Sequence, residues 1–459
     1  MIEFIPLFLF AAICVLLILG YPVALTLAGS ALIAAGIGIV FGVFNPALLK
    51  ATPDRIYGIM TNDTLIAVPL FVLMGLLLEK SKLAEELLEN MALAFGRLPG
   101  GLGISVVLVG MLLAASTGIV GATVVAMGLM SLPTMLKRGW DPALATGTIC
   151  ATGTLGQIIP PSIALVLLGD VISNAYQQSQ LNLGVFNTAT VSVGDLFAGA
   201  MVPGLLLVAA YLSYVIYNAF RHPEKAPPAE LQVGEHKLSG WLLTKSLAPP
   251  ILLIILVLGS IIGGIATPTE AAGVGALGAL LLALAKRKLS LLRMREVLEG
   301  TLSMTCMVFL ILIGASIFSL VFRGFGGEEL IQGLFQDMPG GAIGAMIIVM
   351  IVIFLLGFIL DFIEITFVVV PIVGPVLLAM GFDPIWLGIM IAINLQTSFL
   401  TPPFGFALFY LRSVTPDGVE TLSIYKGVAP FIVIQLALLV VIAVWPELVT
   451  WLPGVLKNG

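Results

Sequence analysis

The sequence predicts an all-α polytopic membrane protein built from two inverted repeats. Each repeat is expected to hold five crossings, one re-entrant hairpin and one proline-broken helix. Three observations carry this reading. The 459-residue chain is 59% hydrophobic and only 10% charged, with a mean hydropathy of +1.15, and apolar runs of spanning length recur along it. Its anchor residues repeat: GWDPALATG at 139–147 returns as GFDPIWLG at 381–388, an offset of 242, and LPGGLG at 98 returns as MPGGAIG at 338, an offset of 240. And each half carries a double proline inside an apolar run, Pro160-Pro161 and Pro402-Pro403. Proline lacks an N–H and clashes with the carbonyl four residues back, so neither run can be one unbroken helix.

Taken in order, the first half (1–220) reads as spans at about 2–19, 23–41 and 64–80. A hairpin at 101–136, a broken helix at 143–172 and a last span at 196–220 follow. The first span lacks a basic flank and a small-residue cleavage site and reads as retained. Residues 221–245 hold the one strongly polar stretch and read as a cytoplasmic linker. The second half (246–459) repeats the pattern with spans at about 246–263, 268–285 and 303–322, a hairpin at 342–379, a broken helix at 385–412 and a last span at 428–447.

A hairpin that enters and leaves on one side adds no crossing. Five crossings per half then invert the second half, and both termini fall on the side opposite the linker. With the linker inside, 16 of the 20 Lys and Arg residues lie in inside loops, as the positive-inside bias requires. The strand-like alternation of a membrane barrel is absent.

The net charge of −5 by itself says nothing about nucleic acid, but the sequence has no basic stripe, and no nucleic-acid partner is expected. The three cysteines are isolated, and both histidines, His222 and His236, lie in the linker. Histidine metal sites and Ser-His or Cys-His catalysis are thereby removed from the membrane interior.

An interrupted membrane helix is tolerated where it is buried in protein or lines a cavity, and a matched pair of breaks points to a transporter's binding site. The prolines free the carbonyls of Gly156 and Gln157 in one half and of Ser398 and Phe399 in the other. Hydroxyls and amides lie nearby: Thr152, Thr154, Gln157 and Ser162, then Asn394, Gln396, Thr397, Ser398 and Thr401. Freed carbonyls with hydroxyls suit a hard cation such as Na⁺, and half-helix N-termini suit an anion. The plainer account is a kink satisfied by neighbouring helices. In the first hairpin, small residues from Ala114 to Gly128 would let the tip pack close to the broken span, and the corresponding stretch of the second is an apolar run holding Asp361 and Glu364. Ionisable groups at such depth are functional by default. A solvated turn, or pairing of one of them with Arg323 or Arg412, is the alternative. A carboxylate dyad for proteolysis would need an opposing group, and these two share one segment.

Together these residues resemble a known family. IIPPS at 158–162, AGAMVPG at 198–204, ATPTEAAG at 266–273, GFILD at 357–361 and FLTPPFG at 399–405 run in family order over nearly the full length. The chain is similar to the large membrane (M, DctM-type) subunit of tripartite ATP-independent periplasmic transporters, with wording nearest the mannitol/chloroaromatic-compound subgroup. The resemblance implies an ion-transporter-superfamily fold working as an elevator. It implies import of a small organic acid, a carboxylate, by Na⁺ symport in a bacterial or archaeal inner membrane. It also implies two partners, a small four-span membrane (Q) subunit and a periplasmic solute-binding (P) protein. A stand-alone carrier or exporter of the same superfamily is the alternative. No nucleotide-binding P-loop or organic cofactor is expected, and no enzymatic activity.

Carried over to this sequence, the tips and breaks nominate Ser116, Thr117, Gly153, Gly156, Gly357, Asp361, Thr397 and Ser398 for Na⁺. They nominate Thr123, Gln157, Ser162, Glu364, Gln396 and Thr401 for the solute. Many members carry Gly-Ser-Ser at the first tip. Here Gly118-Ile119-Val120 stands in its place, leaving backbone carbonyls, Ser116 or Thr117 as substitutes.

Overall fold

The computed structural model describes residues 2–81, 83–95, 98–185, 190–228, 240–336 and 338–458. Among them the regular structure is helical, without strands. Among the described residues six helices are long and apolar enough to cross a bilayer, and eight if two bent pairs each count as one span. Shorter apolar helices such as Ile5–Ile18, Leu247–Ile262 and Gly341–Leu356 accompany them.

The repeated anchors form repeated local structures. Asp141 and Asp383 each cap a helix with proline at its start, accepting from the backbone N–H of Leu144 and of Trp386. A carboxylate there satisfies an otherwise orphan N–H and suits the positive helix end. Gly100 and Gly340 both take the left-handed conformation, at φ +75° and +93°, just before a hairpin helix.

The first hairpin is Gly101–Thr117 followed, after a two-residue turn, by Val120–Lys137. The second starts as Gly341–Leu356, but its return arm is split into Phe362–Val368 and Val370–Ala379, bent by 57°. Pro371 opens the outer piece and removes the N–H that would have continued the ladder.

Each proline-containing run is broken. Pro142–Thr154 tightens into a 3₁₀ turn at Leu155–Gln157 and resumes as Ile163–Asn182. Pro384–Leu400 resumes as Phe406–Val414. Both Pro-Pro peptide bonds are cis. Every residue of Pro384–Leu400 is buried, as are residues 144–154 of the partner run, so the inner halves of both broken spans form the centre of the molecule. The helix Thr421–Val444 crosses the first of them closely. A side chain at Gly147 or Gly427 would run into the other helix's backbone, so both positions need glycine.

Several helices lie outside the predicted spans: Thr52–Met60, Leu83–Phe95, Gly327–Gln336 and Glu447–Asn458. Their sequences mix charge with apolar residues, which hydropathy alone reads as loop. The predicted span at 303–322 belongs to a 34-residue helix, Leu291–Gly324, that starts at the cap Ser290, whose hydroxyl accepts from Arg293 N–H. The predicted linker 221–245 is shortened by a helix that begins at Gly240, and its residues 229–239 lie outside the described residues.

The halves are tied at several points. Lys286 and Lys288 contact the Glu86 carboxylate at 2.7 and 2.9 Å. Lys457 of the last helix contacts Asp195 at 3.1 Å.

Candidate functional site

Both hairpin tips and both helix breaks meet around one small, partly open cavity of about 70 Å³. Gly118 and Ile119 come from the first tip, Gln157 and Ile163 from the first break. Asp361 and Phe362 come from the second tip, Phe399, Phe406 and Tyr410 from the second broken span. The tip can approach because Gly118 is left-handed, at φ +62°, and bare of side chain; a Cβ there would lie 2.8 Å from Ile163 N. One polar atom on this wall is unanswered. Gln157 Oε1 is buried and has no hydrogen-bond partner among the described residues.

Of the residues nominated for Na⁺, three groupings emerge. Gly156 lies against the end of the first hairpin helix, where a Cβ would stand 3.2 Å from Ala114 O. Gly153 lies against Val124 of the same hairpin. Gly357 packs on Ser398, whose Oγ donates to Phe354 O at 2.7 Å, and Asn394 Nδ2 donates to Met350 O at 2.7 Å. Each hairpin is thus held by its own half's broken span. Thr397 donates to Ile393 O within its own helix at 2.8 Å. The side chains of Ser116 and Thr117 lie outside the described residues, although their backbone closes the first hairpin helix.

The breaks are better satisfied than their prolines suggest. Ser162 Oγ donates to Gly156 O at 2.6 Å, and Thr401 N–H donates to Ser398 O at 3.0 Å. Two of the four carbonyls expected to be free therefore already hold one hydrogen bond, and each keeps one lone pair.

Asp361 and Glu364 form a capping box. Asp361 Oδ1 accepts from Phe362 N at 2.7 Å, and Glu364 Oε2 accepts from Asp361 N at 3.0 Å. Asp361 is exposed at the tip, whereas Glu364 is 9% exposed. Neither pairs with Arg323 or Arg412: Arg323 contacts Glu328, and Arg412 donates to Val419 O.

Of the residues nominated for the solute, only Gln157 is on the cavity wall. Thr123 donates to Ile119 O at 2.9 Å, and Thr401 donates to Thr397 O at 2.7 Å. Gln396 belongs instead to a fully buried polar knot. Its Nε2 donates to Thr154 Oγ1 at 3.3 Å, and Gln435 Nε2 donates to Tyr211 Oη at 2.7 Å while lying 3.5 Å from Thr154 Oγ1. Sequence reasoning missed Tyr211 and Gln435. Gln435 could have been found as the lone amide in the run IVIQLALLVV; Tyr211 is one of three tyrosines on its helix and offered no such signal.

Comparison with known proteins gives one consistent result. Residues 10–448 match the family model of the tripartite ATP-independent periplasmic transporter, DctM component. A C4-dicarboxylate TRAP transporter large permease protein of Rhodobacter capsulatus is 30% identical, over 96% of this chain and 99% of that protein. Its counterpart in Pseudomonas aeruginosa is 31% identical over 90% and 91%. An isethionate TRAP transporter permease protein, DctMQ, of Oleidesulfovibrio alaskensis is 28% identical over 97% of this chain but only 66% of its own length. Among solved structures, the Alcanivorax borkumensis YdaH transporter matches with a TM-score of 0.59 at 14% identity, covering 96% of this chain and 98% of that one.

Proposed function

The chain belongs to the DctM family of tripartite ATP-independent periplasmic transporters, the large permease subunits, and from that premise we propose that it imports a small organic acid by Na⁺ symport. The family is one of transporters, not enzymes. The single observation that carries the reading is the cavity between both tips and both breaks. Its polar wall holds an unanswered amide oxygen, Gln157 Oε1, and the Asp361 side chain. Oxygen ligands of this kind suit Na⁺. At about 70 Å³ the cavity has room for an ion and some water but not for an organic acid, so the tips must part to admit the solute.

In this reading the two halves are inverted repeats, 1–220 and 246–459. The hairpins and broken helices form a carrier that slides against the remaining spans as an elevator. The linker is cytoplasmic, both termini are periplasmic, and the membrane is the bacterial or archaeal inner membrane. A four-span Q subunit braces the permease and a periplasmic P protein delivers the solute; the longer DctMQ relative fits such a partner. Carboxylates are the favoured cargo because C4-dicarboxylate permeases are among the relatives, although other relatives are named for ectoine and sialic acid.

The test is uptake into proteoliposomes. Solute found by thermal-shift screening of the P protein should accumulate only with the permease, Q, P and an inward Na⁺ gradient together. Uptake by the purified permease alone would establish the stand-alone carrier instead.

A further inference from the structure

A second, larger cavity of about 550 Å³ lies between the helices Thr52–Met60 and Leu291–Gly324 on one side and Ile163–Asn182 and Val370–Ala379 on the other. Its size falls within the range of small-molecule sites. Two guanidinium groups, Arg55 and Arg323, stand on its walls. Two like charges in one cleft repel each other until an anion lies between them. Arg323 Nε is 3.4 Å from Glu328, which leaves its two terminal nitrogens available. Among the described residues Arg55 has no carboxylate partner. Asp170 also reaches the cleft, where its two oxygens each accept one hydrogen bond, from Asn62 at 3.0 Å and from Asn174 at 3.3 Å, and each keeps one lone pair.

The long helix adds a second argument. Ser316, Ser319 and Arg323 recur at i, i+3 and i+7, so they form one polar stripe on the apolar end of the helix, residues 306–324, and all three line the cleft. Neither serine hydroxyl has a hydrogen-bond partner among the described residues. Donors that a bilayer-buried helix would normally satisfy are here aimed into a cavity. One short arm separates the cleft from the inner cavity: Phe367 faces the cleft, and Phe362 and Ile363 face the inner cavity.

We infer that this cleft is a carboxylate-binding vestibule, in which Arg55 and Arg323 hold the anion and Ser316 and Ser319 donate to it before it reaches the inner cavity. The inference rests on the organic-acid reading above and adds a second site to it. Arginine suits the task because its planar fork matches a carboxylate in two-pronged fashion.

The test is arginine footprinting of the full permease in detergent, with Q when Q co-purifies. Modification of Arg55 and Arg323 by p-hydroxyphenylglyoxal is followed by peptide mass spectrometry. Acetate, succinate and benzoate are compared with succinamide, each at 20 mM. At least one carboxylate should slow labelling of both arginines threefold or more, and succinamide should not. Arg323→Gln should remove the protection of Arg55, whereas Glu328→Gln, which breaks only the ion pair, should keep it. Equal labelling under all conditions would overturn the inference. So would protection seen only on adding the solute-free P protein, since the cleft would then receive an acidic side chain of that protein. In the complete transporter, Arg55→Gln should raise the half-saturating solute concentration at least fivefold and change the maximal rate less than twofold; Arg55→Lys should fall between. Footprinting needs neither Na⁺ nor transport, so symport can fail while the vestibule stands, and the reverse.

Discussion

Gln396 Nε2 donates to Thr154 Oγ1 at 3.3 Å, and the two residues stand 242 positions apart. The same interval separates Pro160 from Pro402. Matching positions of the two proline-broken runs therefore touch each other at the centre of the molecule.

Removing this contact has a calculable cost. Thr154→Val leaves the buried amide of Gln396 without its acceptor and weakens the hold on Gln435. An orphaned buried donor costs about 1–3 kcal/mol, while hydrogen bonds between membrane helices average about 0.6 kcal/mol. Thr154→Val should therefore lose about 1 kcal/mol in thermal unfolding, and Thr154→Ser should lose less. Gln396→Leu in the Thr154→Val background should recover part of the loss. Strict additivity of the two single changes would show that the bond carries no coupling.

At the first hairpin tip, Gly118→Ala should cut uptake at least tenfold. The left-handed φ costs an alanine about 1–2 kcal/mol, and its Cβ would stand 2.8 Å from Ile163 N. Gly20→Ala supplies the comparison. Gly20 is also left-handed, at φ +86°, but its Cβ would meet nothing within 4 Å. It should lose stability and keep transport. Equal transport defects would make the backbone conformation, not the tip contact, responsible.

The capping box separates structure from charge at the second tip. Asp361→Asn keeps a capping oxygen and removes the charge, whereas Asp361→Ala removes both. If the charge serves the cation, both should lose Na⁺-dependent uptake, while only the alanine should lose about 1 kcal/mol of stability. Normal uptake by Asp361→Asn would reduce this residue to a cap.

Away from the bilayer interior, Lys286 and then Lys288 hold the Glu86 carboxyl below its ordinary range. A carboxylate more acidic in the folded state contributes stability above the ordinary value of about 4.3, and loses it as pH falls through the folded value. Glu86→Gln should destabilise at pH 7 by no more than about 1 kcal/mol, because the pair is partly exposed. The wild type and the variant should converge in acid, once the Glu86 carboxyl is protonated in the folded state as well. Melting curves at neutral and acid pH test this, and a gap that persists in acid would assign the effect to packing.

Much of this was legible in the chain. Hydropathy and the Asp-Pro and Pro-Pro anchors identify the helical class and locate both breaks, because each rests on local backbone chemistry. The Asp361 to Glu364 spacing matches a capping box and could have been read as one. What was not legible came from tertiary packing. Proline chemistry removes a helical bond at Gly156 and Ser398, but no local rule says that Ser162 Oγ or Thr401 N–H replaces it. Tyr211 and Gln435 join Thr154 from the last spans of the two halves, 224 residues apart. The polar knot exists only because those helices cross at the broken runs.

The 34-residue helix Leu291–Gly324 would measure about 51 Å at 1.5 Å per residue. Its uncharged part, 300–322, is bounded by Glu299 and Arg323 and measures about 34 Å, close to a hydrocarbon thickness of about 30 Å. Charge at both boundaries fixes its depth, and shifting it by one turn would drag ionised groups into lipid. This helix is therefore the molecule's depth gauge. A spectroscopic label on it would hold a constant height in the bilayer, and any vertical travel by a neighbouring element could be read as a changing distance to it.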